Sequence, residues 1–201
     1  MNETPSLYSD TLKSLFVEAG ALLKGHFLLS SGLHSAQYLQ CALLLSDTAR
    51  AAVLGRELAK LQAQKPDLVL SPAMGGLIIG HEVARALKVR AYFAERENGA
   101  MTLRRGFALK PGEKVVVVED VVTTAKSSGE VIALVRSRGA EVVGLLSIID
   151  RSSGPLELPV PYSSLMKLRI ETWAPEACVL CREGLPLVKP GSRELPAAQG
   201  A

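Results

Sequence analysis

The sequence predicts an α/β fold: one domain built on a parallel twisted sheet flanked by helices, with a small hood drawn from its N- and C-terminal parts. Three observations carry this. Short strand-like runs recur at Asp67-Leu68-Val69-Leu70-Ser71, Val89 to Phe93, Val115-Val116-Val117-Val118 and 141–149. The four consecutive valines are β-branched and continuously apolar, the pattern of a strand buried on both faces of a parallel sheet. Helical stretches separate these runs, and such alternation implies parallel pairing through right-handed crossovers. Finally, 201 residues with 48% hydrophobic and 21% charged side chains suit a single globular domain with a sizeable core.

Taken in order, residues 6–19 place Leu7, Leu12, Leu15, Phe16 and Ala19 at helical spacing. Residues 26–32 and 35–41 read as two short strands joined at Ser31-Gly32, a small flap. Ser46-Asp47 caps a helix reaching about Gln62, with Ala52, Val53, Leu54, Leu58 and Leu61 available for its buried face. After the strand at 67–71 comes a helix from Gly76 to Leu87, then the strand at 89–93. Glu95 to Phe107 reads as a polar, glycine-containing loop, long enough to be a functional lid. The 115–118 strand, a helix at 128–138 and the strand at 141–149 follow, and Leu165 to Trp173 alternates as an added strand. The domain is expected to span 1–185, its hood coming from about 20–42 and 155–175, with a loose tail at 186–201.

Chemistry concentrates where the valine strand ends. Glu119 and Asp120 stand at its carboxyl end, where open α/β sheets bind ligands. Val121-Val122-Thr123-Thr124-Ala125-Lys126-Ser127 then leads into a helix for which Ser127 and Glu130 fit a capping box. Backbone N–H groups of residues 123–128 can face a phosphate there, aided by the helix dipole. The carboxylate pair can hold polyol hydroxyls or a hydrated metal ion. Together these suit a sugar phosphate; the plain alternative is a βα turn with an exposed acid pair. Ser71-Pro72-Ala73-Met74-Gly75-Gly76 offers a second strand-to-helix turn where amides can meet an anion.

The 115–128 segment resembles the signature of the type I phosphoribosyltransferases, which bind 5-phosphoribosyl-1-diphosphate. That resemblance implies that Glu119 and Asp120 contact the ribose hydroxyls, that residues 121–127 wrap the 5′-phosphate, and that Gly75 lies in the diphosphate loop. It makes the 93–107 tract the mobile loop whose cations neutralise the leaving diphosphate, with Arg96, Arg104 and Arg105 available. Arg96 and Asp120 are the candidate catalytic residues. The sequence departs from the family at Ala125, where glycine is usual, so alanine is strained if the loop needs φ > 0 there. Asn98-Gly99-Ala100 stands where a catalytic Lys and His would be sought.

Further segments are similar to the orotate phosphoribosyltransferases. The tract Ala21 to Ser35 looks like their N-terminal signature, implying base-site roles for Lys24 and Tyr38, with Lys24 one place off the expected register. Ile148-Ile149-Asp150-Arg151 ends a strand on an arginine which in that family reads the pyrimidine. A guanidinium fork matches the carboxylate and ring carbonyls of orotate. Thr123 also reaches the base there. The resemblance implies Mg²⁺ as cofactor, orotate and the ribosyl donor as substrates, a homodimer, and a step of pyrimidine biosynthesis. A type I enzyme for a purine, and a non-catalytic diphosphate-sensing regulator, are the alternative readings.

The net charge of +3 is too small to argue for nucleic acid. No apolar run approaches the roughly eighteen residues of a membrane span, and Met1-Asn2-Glu3-Thr4-Pro5 shows no secretory pattern, so a cytoplasmic protein is expected. Cys178 and Cys181 form a C-x-x-C, but the other candidate ligands for a structural zinc, Cys41, His26, His34 and His81, are remote in sequence. Free thiols in a C-terminal segment, and no protein-bound metal, are expected. No G-x-G-x-x-G follows a strand, which sets dinucleotide binding aside.

Overall fold

The computed structural model describes residues 6–29 and 31–190. Helix α1 (Ser6–Glu18) leads into the hairpin β1 (Leu22–Leu28) and β2 (His34–Leu39). Next come α2 (Cys41–Leu45), α3 (Thr48–Leu61), β3 (Leu68–Pro72), α4 (Gly76–Leu87), β4 (Arg90–Glu97) and β5 (Ala100–Leu103). The chain continues through β6 (Lys114–Val122), α5 (Lys126–Ser137), β7 (Glu141–Asp150), β8 (Tyr162–Lys167), β9 (Thr172–Trp173) and the short α6 (Val179–Arg182). Six strands form the main sheet in the order β5-β4-β3-β6-β7-β8, and β1-β2-β9 form a separate hood sheet. Every pairing in the main sheet is parallel except that of edge strand β5. The expected fold class is the observed one.

Strand β6 shows why the valine run belongs in the middle. Val116 and Val118 pack into one core with Leu54 and Leu58 of α3 and Ile79 and Val83 of α4. Val115 and Val117 face the opposite core, against Val131, Ile132 and Val135 of α5. Successive side chains point to opposite faces of a strand, so a strand covered on both sides must be apolar at every position. Asp47 caps α3 as the sequence predicts, its carboxylate accepting from the N–H groups of Ala49 and Arg50 at 2.9 and 3.1 Å. The buried face of α3, however, is Ala51, Leu54, Gly55 and Leu58, while Val53 and Leu61 lie at the surface. A 3.6-residue period cannot bury Val53 together with Leu54 and Leu58 on one narrow stripe.

The expected 95–107 loop is a β-hairpin as far as residue 103, and only 104–107 lie outside it. Glu97 pairs with Ala100 across the two-residue turn Asn98-Gly99, whose φ angles are 51° and 85°. Two consecutive positive φ values define the primed turn that Asn-Gly favours. The added strand expected over 165–173 is divided: β8 extends the main sheet beside β7, and only β9 joins the hood, pairing with β2 at His34 and Ser35. The chain stays attached beyond residue 185, since Val188 N–H donates to the His26 carbonyl and Leu28 N–H to that of Val188, both at 2.8 Å. Expectations for residues 1–5 and for the tail from 191 fall outside the described residues.

Candidate functional site

Two strand-to-helix turns meet at the carboxyl ends of β3 and β6. Glu119 is buried, 8% exposed, and pairs in register with Ser147 of β7. Asp120 next to it accepts from the Val121 N–H at 2.8 Å. The turn after β3 comes directly against this carboxylate: a Cβ added at Gly75 would stand 2.6 Å from Asp120 Oδ1. Only glycine permits that approach, so the turn at 73–75 and the acid pair form one surface. Ala73 N–H donates to the Ala94 carbonyl at 2.7 Å and so ties the turn to β4.

Burial pushes the Glu119 carboxyl up to about 9, and the neighbouring Asp120 charge adds to the effect. Asp120 is pushed up as well, chiefly by burial, while the Val121 N–H draws it back down. Two carboxyls in one poorly solvated place resist ionising together. A cation or a set of donated hydroxyls brought against them would reverse that resistance.

Beyond the acid pair, Thr123 and Thr124 are exposed, Ala125 is half-buried and Ser128 buried. Ala125 adopts φ 57°, ψ 19°, the left-handed region, and serves as N-cap of α5 without a side-chain cap bond. The strain that alanine implies at this position is therefore present. Ser127 and Glu130 do not form the expected capping box, because α5 starts at Lys126 and Ser127 already lies within the helix. The first intrahelical bond runs from the Gly129 N–H to the Ala125 carbonyl at 2.7 Å, so the amides of Lys126, Ser127 and Ser128 precede the helical ladder. They are the donors a phosphate would meet.

Glu130 is engaged elsewhere. Its carboxylate lies 2.7 Å from the Arg96 guanidinium, which also donates to the Gly99 carbonyl at 2.8 Å. The other hairpin cations are paired too, Arg104 with Glu97 at 3.4 Å and Arg105 with Glu95 at 3.1 Å. These are exposed ion pairs worth little individually, so an arriving polyanion can exchange them.

Arg151 and Tyr38 are brought to the same place from opposite ends of the chain. Arg151 N–H donates to the Val122 carbonyl at 2.8 Å, which sets its side chain beside the end of β6. Burial pulls the Arg151 guanidinium down, and the nearby Tyr38 and Cys41 oppose this. Tyr38 is pushed up, first by burial and then by Asp120, with Arg151 acting against them. Phenol, guanidinium and carboxylate thus share one electrostatic neighbourhood. Cys41, buried within it, was given no role by the sequence; its thiol is pushed well up by burial and then by Asp120. Lys24 does not join them. It pairs with Gln37 while Tyr38 pairs with Leu23, so Lys24 and Tyr38 point to opposite faces of the hairpin.

A family model, the phosphoribosyl transferase domain, matches residues 44–176. The chain belongs to this family. It is 56% identical over 186 residues to the orotate phosphoribosyltransferase of Carboxydothermus hydrogenoformans, a match spanning 91% of this chain and 97% of that one. It is 54% identical over 185 residues to the Thermotoga maritima orotate phosphoribosyltransferase, spanning 92% and 99%. The crystal structure of orotate phosphoribosyltransferase from Aeropyrum pernix superposes with a TM-score of 0.67 at 29% identity, covering 78% of this chain and 93% of that one. The strand–acid pair–loop–helix unit at 114–137 lies inside the region matched by the phosphoribosyl transferase model.

The sequence assigned His26, His34, Cys178 and Cys181 no common task, yet the fold gathers them. Cys178 is 1% exposed, and the four side chains of the hairpin and the C-terminal segment meet in the hood. Residues 34 and 178 are far apart along the chain, and no local pattern signals their contact.

Proposed function

We propose that the chain is an orotate phosphoribosyltransferase, joining orotate to the ribose 5-phosphate of 5-phosphoribosyl-1-diphosphate to give orotidine 5′-monophosphate and diphosphate. The observation that carries the choice of base is a relative named for that activity at 56% identity over 91% of the chain. The neighbourhood of Arg151 and Tyr38 supports it, since a half-buried guanidinium near a phenol suits an anionic planar base rather than a neutral purine.

Displacement at C1′ with an oxocarbenium-like transition state needs no nucleophilic side chain, because a ring nitrogen of orotate attacks. Orientation and charge stabilisation are the protein's part. Glu119 and Asp120 accept the ribose hydroxyls, and the amides at 123–128 hold the 5′-phosphate. Arg151, Tyr38 and Thr123 fix the base. Arg96 leaves Glu130 for the diphosphate as it arrives. The carboxylate oxygens of Glu119 and Asp120 would hold a hard cation such as Mg²⁺, which would supply positive charge against the leaving diphosphate. A homodimer, in which the β4–β5 hairpin of one protomer serves the other's site, belongs to the same reading, as does a cytoplasmic location. No helix among the described residues is long and apolar enough to cross a membrane.

The test is turnover with orotate, uracil, adenine and hypoxanthine in parallel, each with and without Mg²⁺. Product from orotate alone, dependent on the metal, is expected. Turnover on a purine, or donor binding without product from any base, refutes the assignment.

A further inference from the structure

In the hood, four side chains converge that the transfer reaction does not use. His26 and His34 belong to the β1–β2 hairpin, while Cys178 caps α6 and Cys181 lies within it. Their potential ligand atoms all lie within 4.8 Å of one another. His26 Nε2 stands 3.0 Å from His34 Nδ1, 3.4 Å from Cys178 Sγ and 3.7 Å from Cys181 Sγ. Cys181 Sγ is 3.3 Å from His34 Nδ1. Both histidines and Cys178 are buried; Cys181 is exposed.

Hydrogen bonding alone does not explain this arrangement. His26 Nδ1 lies 2.8 Å from the Leu185 carbonyl oxygen, which can only accept, so Nδ1 carries the proton. In the neutral ring Nε2 then has a single lone pair, and three heteroatoms converge on it. One lone pair satisfies one donor. A cation among the four atoms satisfies all of them. Bonds of about 2.0–2.1 Å to nitrogen and about 2.3 Å to sulfur put the ligands of a tetrahedral zinc about 3.3–3.8 Å apart, close to the separations here. The Leu185 carbonyl also supplies the outer partner that fixes the tautomer and orientation of a metal-bound imidazole.

We propose that His26, His34, Cys178 and Cys181 form a closed structural site for one Zn²⁺, bound through His26 Nε2, His34 Nδ1 and both thiolates. Thiolate and imidazole ligands select zinc over magnesium or calcium. Four protein ligands leave no open position, so the site holds structure and takes no part in chemistry. Loading removes the proton from each thiol and so releases about two protons. The ion would clamp the C-terminal segment onto the β1–β2 hairpin beside the Val188–His26 bond. Since β2 also carries Tyr38, the clamp steadies the wall of the hood. This inference stands independently of the transfer reaction.

The full chain, untagged and purified under reducing conditions without chelator, should contain about one zinc per chain by elemental analysis. Replacing that zinc with Co²⁺ should give the absorption of a tetrahedral cobalt–thiolate centre. The double variant Cys178→Ser/Cys181→Ser should lose at least about tenfold in bound metal. Should that variant not fold, the wild-type chain decides: a strong chelator should expose two slowly reacting thiols and lower Tm. Full zinc occupancy in a folded double variant overturns the site. So does a reduced wild-type chain that takes up neither Zn²⁺ nor Co²⁺, or one whose thiol reactivity and Tm ignore the chelator.

Discussion

Replacing Glu119 by glutamine tests the buried acid pair most directly, because the substitution keeps the shape and removes the ionisation. Glu119 is 8% exposed and its carboxyl is pushed up to about 9, first by burial and then by Asp120. An unfolded glutamate ionises near 4.3. Between those values the folded chain holds a proton that the unfolded chain has released. Stability from this group is therefore fully present below the unfolded value and falls as pH rises toward the folded one. The slope for one fully linked proton is 2.303RT per pH unit, so a loss on the order of 3 kcal/mol is expected between pH 6 and 8. The pair is counted as one proton because two adjacent carboxyls ionise in separate steps, the charge of the first holding back the second. Urea denaturation of the ligand-free protein across that range should show the decline in the wild-type chain and a much flatter profile in Glu119→Gln. The variant should be the more stable of the two at pH 8. Parallel profiles would mean that Glu119 is already ionised when folded, and the burial argument would be wrong. The same proton bears on donor binding: ribose hydroxyls favour a charged acceptor, so the donor Kd of the wild-type chain should fall as pH rises over this window.

Arg151→Ala should raise the orotate KM about 10- to 100-fold, the loss of one charge-assisted hydrogen bond, and leave the donor KM nearly unchanged; equal effects in steady-state kinetics would remove its role in reading the base. Gly75→Ala places a methyl 2.6 Å from Asp120 Oδ1, so the turn must shift. A loss of about 1–3 kcal/mol in urea denaturation is expected, together with weaker donor binding by calorimetry; a wild-type donor Kd would show that the turn and the acid pair are independent. Ala125→Gly relieves about 1–2 kcal/mol of left-handed strain, set against the roughly 0.5–1 kcal/mol that glycine adds to unfolded-chain entropy and part of a methyl's burial. These terms nearly cancel, so denaturation should show a change of less than about 1 kcal/mol, whereas the same replacement inside a helix would lose stability outright.

The parts of this fold that could be read from sequence are those whose cause is local. Four valines in a row require cover on both sides, and the cores on either face of β6 supply it. The turn from β6 into α5 was legible for the same reason, because strand, acid pair, loop and helix follow one another without a break, while the strain at Ala125 was signalled only by the resemblance, which has glycine there. The Asn98-Gly99 hairpin was equally local but was obscured by the polar composition around it. Its turn residues outweigh that composition, since they satisfy a backbone geometry that few others accept. Strand β9 escaped because Leu165 to Trp173 alternates without a break, while pairing partners in two different sheets divide it.

Contacts between distant residues are of another kind. Arg151 comes within electrostatic range of Tyr38 because β7 lies beside β6 and the β1–β2 hairpin returns to that end of the sheet, an arrangement stated by no window of the sequence. The histidine–cysteine cluster depends on the same long-range closure, with its hairpin half at residues 26 and 34 and its helical half at 178 and 181. Each half alone is unremarkable: two histidines eight residues apart, and a C-x-x-C near a proline-rich end. Bringing them together requires ordering a loop of more than a hundred residues, but loop entropy grows only with the logarithm of length. The strands of the main sheet all lie between the two halves, so their pairing itself meets most of that cost. A metal at the junction would therefore find its ligands nearly in place, and its binding energy would go chiefly into holding the hood closed.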